Sequence, residues 1–247
     1  MNLSIGTKYL RSYPFSLLAM EKHLEETILH SDQDKPKWSR NSYKAKLCII
    51  EGYLAEGLIQ RVENQLKELE SHEKYFSHFL KASYYLCWAE YIFLSHEDEV
   101  NKTKQEIVKD CQDYLQKAEN ELRERFLEFF IIGEIAHGNL SPLYHHWTTI
   151  YIMRGRLSLY FPRFISQGVV TDVLPSLVDF DKARVYYAPR DGDSYLCGQA
   201  SLYQSWCYLM QGYIGDEQKG FDTKTCIDWA KKLIDQVLLN YQEISEE

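Results

Sequence analysis

Glycine and proline are scarce, at 12 and 6 in a chain of 247 residues. So little turn-forming material does not suit the many tight reversals of an all-β fold. Long apolar runs are also missing. The most apolar stretch, Tyr84–Leu94, is interrupted by Glu90 and falls well short of the roughly 20 residues that span a bilayer. The opening residues, MNLSIGTKYLRSYPF, lack the apolar centre of a secretory signal. Net positive charge is absent as well. At −8 the chain has no global field to draw in nucleic acid, so any RNA or nucleotide binding needs a local patch. The six cysteines show no C-x-x-C spacing, which argues against a zinc or redox motif and for reduced thiols packed in a core. The expectation is a soluble, cytoplasmic protein with no membrane partner.

Catalytic signatures are lacking too. There is no P-loop, G-x-S-x-G, H-E-x-x-H or G-x-G-x-x-G. Glu134–His137 has the E-x-x-H spacing of a di-iron bundle, but that chemistry requires a second copy and there is none. The adjacent pair His145-His146 diverges by about 100° on a helix, which disfavours one ion shared between them. A helical hydrolase centred on His137, His145 and His146 is the least supported function. No cofactor is expected, and the chain reads as a non-enzyme.

What is present is helical periodicity almost throughout. Phe15–His30, Ser42–Ala55, Leu58–Leu69 and Tyr75–Ser95 carry apolar residues near the 3.6 spacing. The acidic stretch from His96 to Gly138 reads as one long helix or two. Ser141-Pro142 is a start signal: a hydroxyl to cap free N–H groups, then a proline where no N–H is needed. Residues 162–178, with Val169, Val170, Val173 and Pro175, are the least helical and read as an insertion. Asp179–Ala188, Ser194–Ile214 and Thr223–Tyr241 complete the set. The predicted fold is all-α, with about nine or ten helices. Its organisation is one helical-repeat domain: an N-terminal helix and loop over 1–36, first helix pairs over 37–140, and second helix pairs over 141–247.

A heptapeptide recurs as YLAEGLI from Tyr53, YIMRGRL from Tyr151 and YLMQGYI from Tyr208, with a weaker copy at Tyr91 that has Ser95 in place of glycine. A small residue one turn after a tyrosine lets a neighbouring helix approach closely. Tyr144, Trp147, Thr148, Tyr151 and Gly155 fall at the spacing of the first-helix signature of tetratricopeptide repeats. Tyr84, Cys87, Trp88, Tyr91 and Ser95 fall at the same offsets, and Ala183, Tyr187 and Pro189 echo the second-helix signature. The chain therefore resembles the tetratricopeptide-like helical repeats, which stack antiparallel helix pairs into an irregular solenoid. The copies are 38, 60 and 57 residues apart, which departs from that family's regular period. The resemblance implies a scaffold or adaptor that binds a partner protein on a concave face. Tyr85, His145, Thr149 and Trp206 are its implied contacts, beside Leu47, Glu51, Ala89 and Leu202. That surface is apolar and aromatic, which suits an apolar or helical partner segment.

Between Ile135 and Thr171 there is no Asp, Glu or Lys. One explanation is a buried central helix, stripped of charge because unpaired buried charge is costly. The other is an anion-binding patch of Arg154, Arg156 and Arg163, with Arg156, Tyr160 and Arg163 at i, i+4 and i+7. A second basic stretch places Lys35, Lys37, Arg40, Lys44 and Lys46 around Trp38 and Tyr43, a pattern that can grip nucleic acid. The alternative function is therefore an RNA- or nucleotide-binding accessory subunit.

Overall fold

The computed structural model describes residues 22, 25, 26, 40–96, 102–132, 141–161, 174–187, 194–214 and 222–245. The chain divides into two compact units, Met1–His137 and Gly138–Glu247. Among the described residues every regular element is helical, and the all-α expectation holds. Eight α-helices are described: α1 Arg40–Ala55, α2 Val62–Glu70, α3 His78–Ser95, α4 Lys104–Ile132, α5 Ser141–Tyr160, α6 Leu174–Asp181, α7 Ser194–Ile214 and α8 Thr223–Ser245. A π-helical turn, Lys182–Tyr187, continues α6. No described helix is long and apolar enough to cross a membrane.

In the first unit, α1 packs on α2 and α3, and α3 lies along α4. The α3–α4 pair is antiparallel. Cys111 Sγ donates to the Ala89 carbonyl oxygen at 3.5 Å, Tyr114 stacks on Trp88, and Glu121 meets His78. The start of α4 is fixed by a capping box, in which Thr103 and Glu106 satisfy each other's backbone N–H at 2.8 and 3.3 Å. With 29 residues against 18, α4 outruns α3 by about 16 Å at 1.5 Å per residue. Of the stretch from His96 to Gly138, read as one helix or two, the described residues hold one helix over Lys104–Ile132. The core of this unit is lined by rings. Tyr43 meets Phe76 at 5.1 Å and Phe76 meets Tyr84 at 5.7 Å, while Trp88 stacks on Tyr114 at 5.7 Å.

In the second unit α5, α6, α7 and α8 pack in succession, and α5 also touches α7. Adjacent pairs are again antiparallel. Lys182 covers the Tyr151 ring while Phe180 meets Gly155. Gly212 meets Cys226 while Tyr208 meets Trp229. The centre of the unit is Ile152, Leu177, Phe180, Ala183, Leu196, Ala200 and Cys207. Two extents differ from expectation. Helix α6 starts at Leu174, inside the stretch read as an insertion, because Pro175 falls in the first turn where its missing N–H costs nothing. The helix expected over Leu58–Leu69 begins at Val62, after a 3₁₀ turn at Ile59–Arg61.

The three tyrosine–glycine heptapeptides do two different jobs. A Cβ on Gly155 would lie 2.6 Å from Phe180, and one on Gly212 would lie 2.8 Å from the Cys226 Cβ, so both glycines are where helices touch. Gly57 is not. Its φ is +71°, nothing lies near its missing side chain, and the Leu58 N–H donates to the Tyr53 carbonyl oxygen at 2.8 Å. That is a Schellman ending of α1, which uses glycine for its left-handed backbone.

Candidate functional site

Of the stretch that lacks Asp, Glu and Lys, residues 141–161 are described, and Ser141–Tyr160 of these form α5. Among its described side chains only Tyr160 is exposed, as a buried central helix requires. Its two threonines are turned back on the helix itself. Thr148 is fully buried and donates to the Tyr144 carbonyl oxygen at 2.8 Å, and Thr149 donates to the His145 carbonyl oxygen at 3.1 Å. His146 is buried against half-buried His145, their ring centroids 5.7 Å apart.

The arginines of this helix do not converge. Arg156 is 7% exposed, with Nη1 3.3 Å from the Met153 sulfur and its guanidinium over the Tyr203 ring at 5.7 Å. The expected surface patch therefore loses this member to the core. Arg154 lies over Tyr151 at 5.7 Å, and Lys182 reaches the same ring at 5.1 Å. Close to these cations, burial raises the Asp179 carboxyl to about 6 against the opposing pull of Lys182 and Arg154. A further polar group ties α6 to α7. Arg184 Nε donates to Gln204 Oε1 at 2.8 Å, and Arg184 Nη2 and Gln204 Nε2 reach Asp181 Oδ1 at 3.0 and 3.2 Å.

The basic stretch before α1 is also divided. Tyr43 is in the core and Lys46 pairs with Glu68 of α2 at 2.6 Å, while Lys44 is exposed. Lys35, Lys37, Arg163, His137 and the Arg40 side chain lie outside the described residues.

The implied partner contacts separate in the same way. Tyr85 belongs to the first unit and is buried, with its hydroxyl donating to Glu73 Oε1. Burial, and then that hydrogen bond, push its ionisation above the usual tyrosine range, while burial takes Tyr84 to about 12, so both remain protonated donors. Leu47 and Ala89 are core as well. Tyr85 packs the first unit and is not an exposed contact. Trp206 and Leu202 are exposed on α7 of the second unit.

Helix α7 is unusual for a surface helix: its 21 residues include no Asp, Glu, Lys or Arg. The side facing solvent presents Leu202, Trp206, Leu209 and Met210, which are 47%, 58%, 42% and 38% exposed. These positions recur at i, i+4 and i+7 or i+8, so they form one strip. Trp229 of α8 leans on Tyr208 at 5.1 Å and is itself partly exposed, which carries the aromatic surface on to the next helix. Leu209 and Met210 were not singled out by sequence. Their signal is the missing charge on α7.

A metal-ligand type of cluster also forms at the α3–α4 seam, from His78, Glu121 and Glu124. Sequence reading missed it because 43 residues separate His78 from Glu121. No family model, curated protein or solved structure matches the chain.

Proposed function

We propose that this chain is a non-catalytic helical adaptor of the cytoplasm that holds an amphipathic helix of a partner protein on the α7 strip. The observation that carries the reading is the absence of charge from a helix that exposes Leu202, Trp206, Leu209 and Met210. A helix facing water ordinarily carries charged residues on its outer face, and contiguous exposed apolar side chains rimmed by polar ones mark binding surfaces. A Trp flanked by aliphatic residues has the composition of an interface anchor, and spacing at i, i+4 and i+7 suits an apolar helical partner.

Antiparallel succession of helices, with Gly155 and Gly212 at points of contact, supports a tetratricopeptide-like arrangement within the second unit. The RNA- or nucleotide-binding alternative has narrower support. It retains Arg154 and Lys182 beside Tyr151, while Arg156 is buried.

A photo-crosslinking residue placed at Leu202 tests the adaptor reading in cells. The expected result is a crosslink to an apolar helical segment of one other protein, lost when Trp206→Glu is added. Crosslinks confined to this chain's own residues would show the strip to be internally covered and end the proposal.

A further inference from the structure

His78 is the first residue of α3, and Glu121 and Glu124 stand one turn apart on the facing side of α4. His78 Nδ1 donates to Glu121 Oε2 at 2.7 Å and lies 3.8 Å from Glu124 Oε2. Ligand-type atoms of all three residues lie within 4.8 Å of one another. Around a tetrahedral ion with bonds near 2.0–2.1 Å, ligand atoms stand roughly 3.3 Å apart. The two histidine–carboxylate separations straddle that figure and the third pair lies within 4.8 Å, so the three groups already stand near the spacing of a ligand set.

The geometry points to a site for one first-row divalent cation, with zinc as its reference occupant, formed by His78, Glu121 and Glu124 across the α3–α4 seam. The neighbouring side chains hold the ligands in place. Lys81 contacts the opposite oxygen of Glu121, Oε1, at 3.4 Å, which orients the carboxylate and leaves Oε2 towards the histidine. A partner that fixes a ligand's outer oxygen is the usual support around a metal site. Arg123, which sits between the two glutamates in sequence, is turned away to Glu119 at 2.5 Å.

A neutral imidazole with two carboxylates gives two negative charges, matching a divalent ion. The nitrogen donor favours zinc, cobalt, nickel or iron over calcium and magnesium. The carboxylate of Glu124 is 67% exposed, so the remaining coordination position opens to solvent. Because the donors come from two helices, an ion there would tie α3 to α4 and stabilise the first unit. The site is independent of the α7 strip.

Isothermal titration of the metal-free full chain with zinc chloride, and cobalt(II) absorption on the same protein, test the assignment. The expected result is one saturable equivalent, a zinc-dependent rise in Tm, and cobalt d–d bands without thiolate charge transfer. Loss of a supporting outer partner typically weakens a metal site by about 10–100-fold, so His78→Ala and Glu124→Gln should each cost at least about tenfold. Glu124→Gln is at an exposed side chain and leaves the fold intact if His78→Ala does not. Absence of saturable uptake, equal affinity in Glu124→Gln, or a cobalt–thiolate band would each overturn the site.

Discussion

The Phe180 ring rests against the backbone of Gly155, so close that a methyl group there would come within 2.6 Å of it. The ring cannot simply retreat, because its other neighbour is Tyr203, stacked at 5.3 Å and 10°. Gly155→Ala should therefore destabilise the protein by about 1–3 kcal/mol through overpacking. Gly57→Ala meets no atom and should cost only about 1 kcal/mol, for its left-handed backbone. Urea unfolding of the two variants compares them, and adding Phe180→Leu should recover part of the first loss and none of the second. Equal losses, or no recovery, would mean that α5 and α6 do not meet at this glycine.

None of the six cysteines is in a disulfide, and five are buried. Burial pushes Cys207 up to about 12 and holds Cys87 well above the ordinary thiol range, so neither supplies a reactive thiolate at neutral pH. Half-buried Cys197 should react first with Ellman's reagent in the native protein, and Cys87, Cys111 and Cys207 only on unfolding. Mass spectrometry of the labelled peptides gives the order, and early labelling of Cys87 would contradict the packing.

Asp179 should make stability fall as pH rises. Its folded value, about 6, is above its unfolded one, so the folded chain holds the extra proton. The contribution is fully present below the unfolded value near 3.8 and is lost as pH climbs through 6. Asp179→Asn should remove this slope and gain on the order of 1–2 kcal/mol relative to wild type at pH 7. Denaturant unfolding of both proteins from pH 4 to 7 measures the difference, which should widen between pH 4 and 6 and then level off.

Arg154 and Arg156 are two residues apart and should behave differently. Arg156→Ala opens the core around Met153 and Tyr203 and should destabilise by about 2 kcal/mol or more, while Arg154→Ala should change stability by less than about 1 kcal/mol. If RNA binds the second unit, affinity should fall steeply with salt and depend on Arg154 and Lys182. Filter binding of single-stranded RNA at low and moderate salt decides this. No binding at low salt removes the alternative function.

Much of the helical outline was legible because its signals are local. Ser141-Pro142 opens α5, and the absence of acid from that stretch marked a buried helix. Pro175 misled because a proline in a first turn and a proline that breaks a helix look alike without the flanking backbone. Tyr85 misled for a related reason: tyrosine serves both core and surface, and only Glu73, twelve residues away, shows which. Gly57 and Gly155 occupy the same place in the same heptapeptide, yet one ends a helix and the other admits a neighbour. Trp206 and Leu202, implied by the repeat resemblance, are exposed on α7. The His78 cluster needed α3 and α4 to pair before it existed at all.

The overhang of α4 beyond α3 has a kinetic consequence. Past Glu124 this helix exposes Phe126 and Leu127, and the first residue of α3 has already been passed. Amides near Cys111 and Leu115, sealed beneath α3, should exchange with deuterated solvent only on global opening, whereas those of the last two turns should exchange through local fraying. One continuous rod thus spans a wide range of protection along its length, and the step between slow and fast amides should fall close to Glu121.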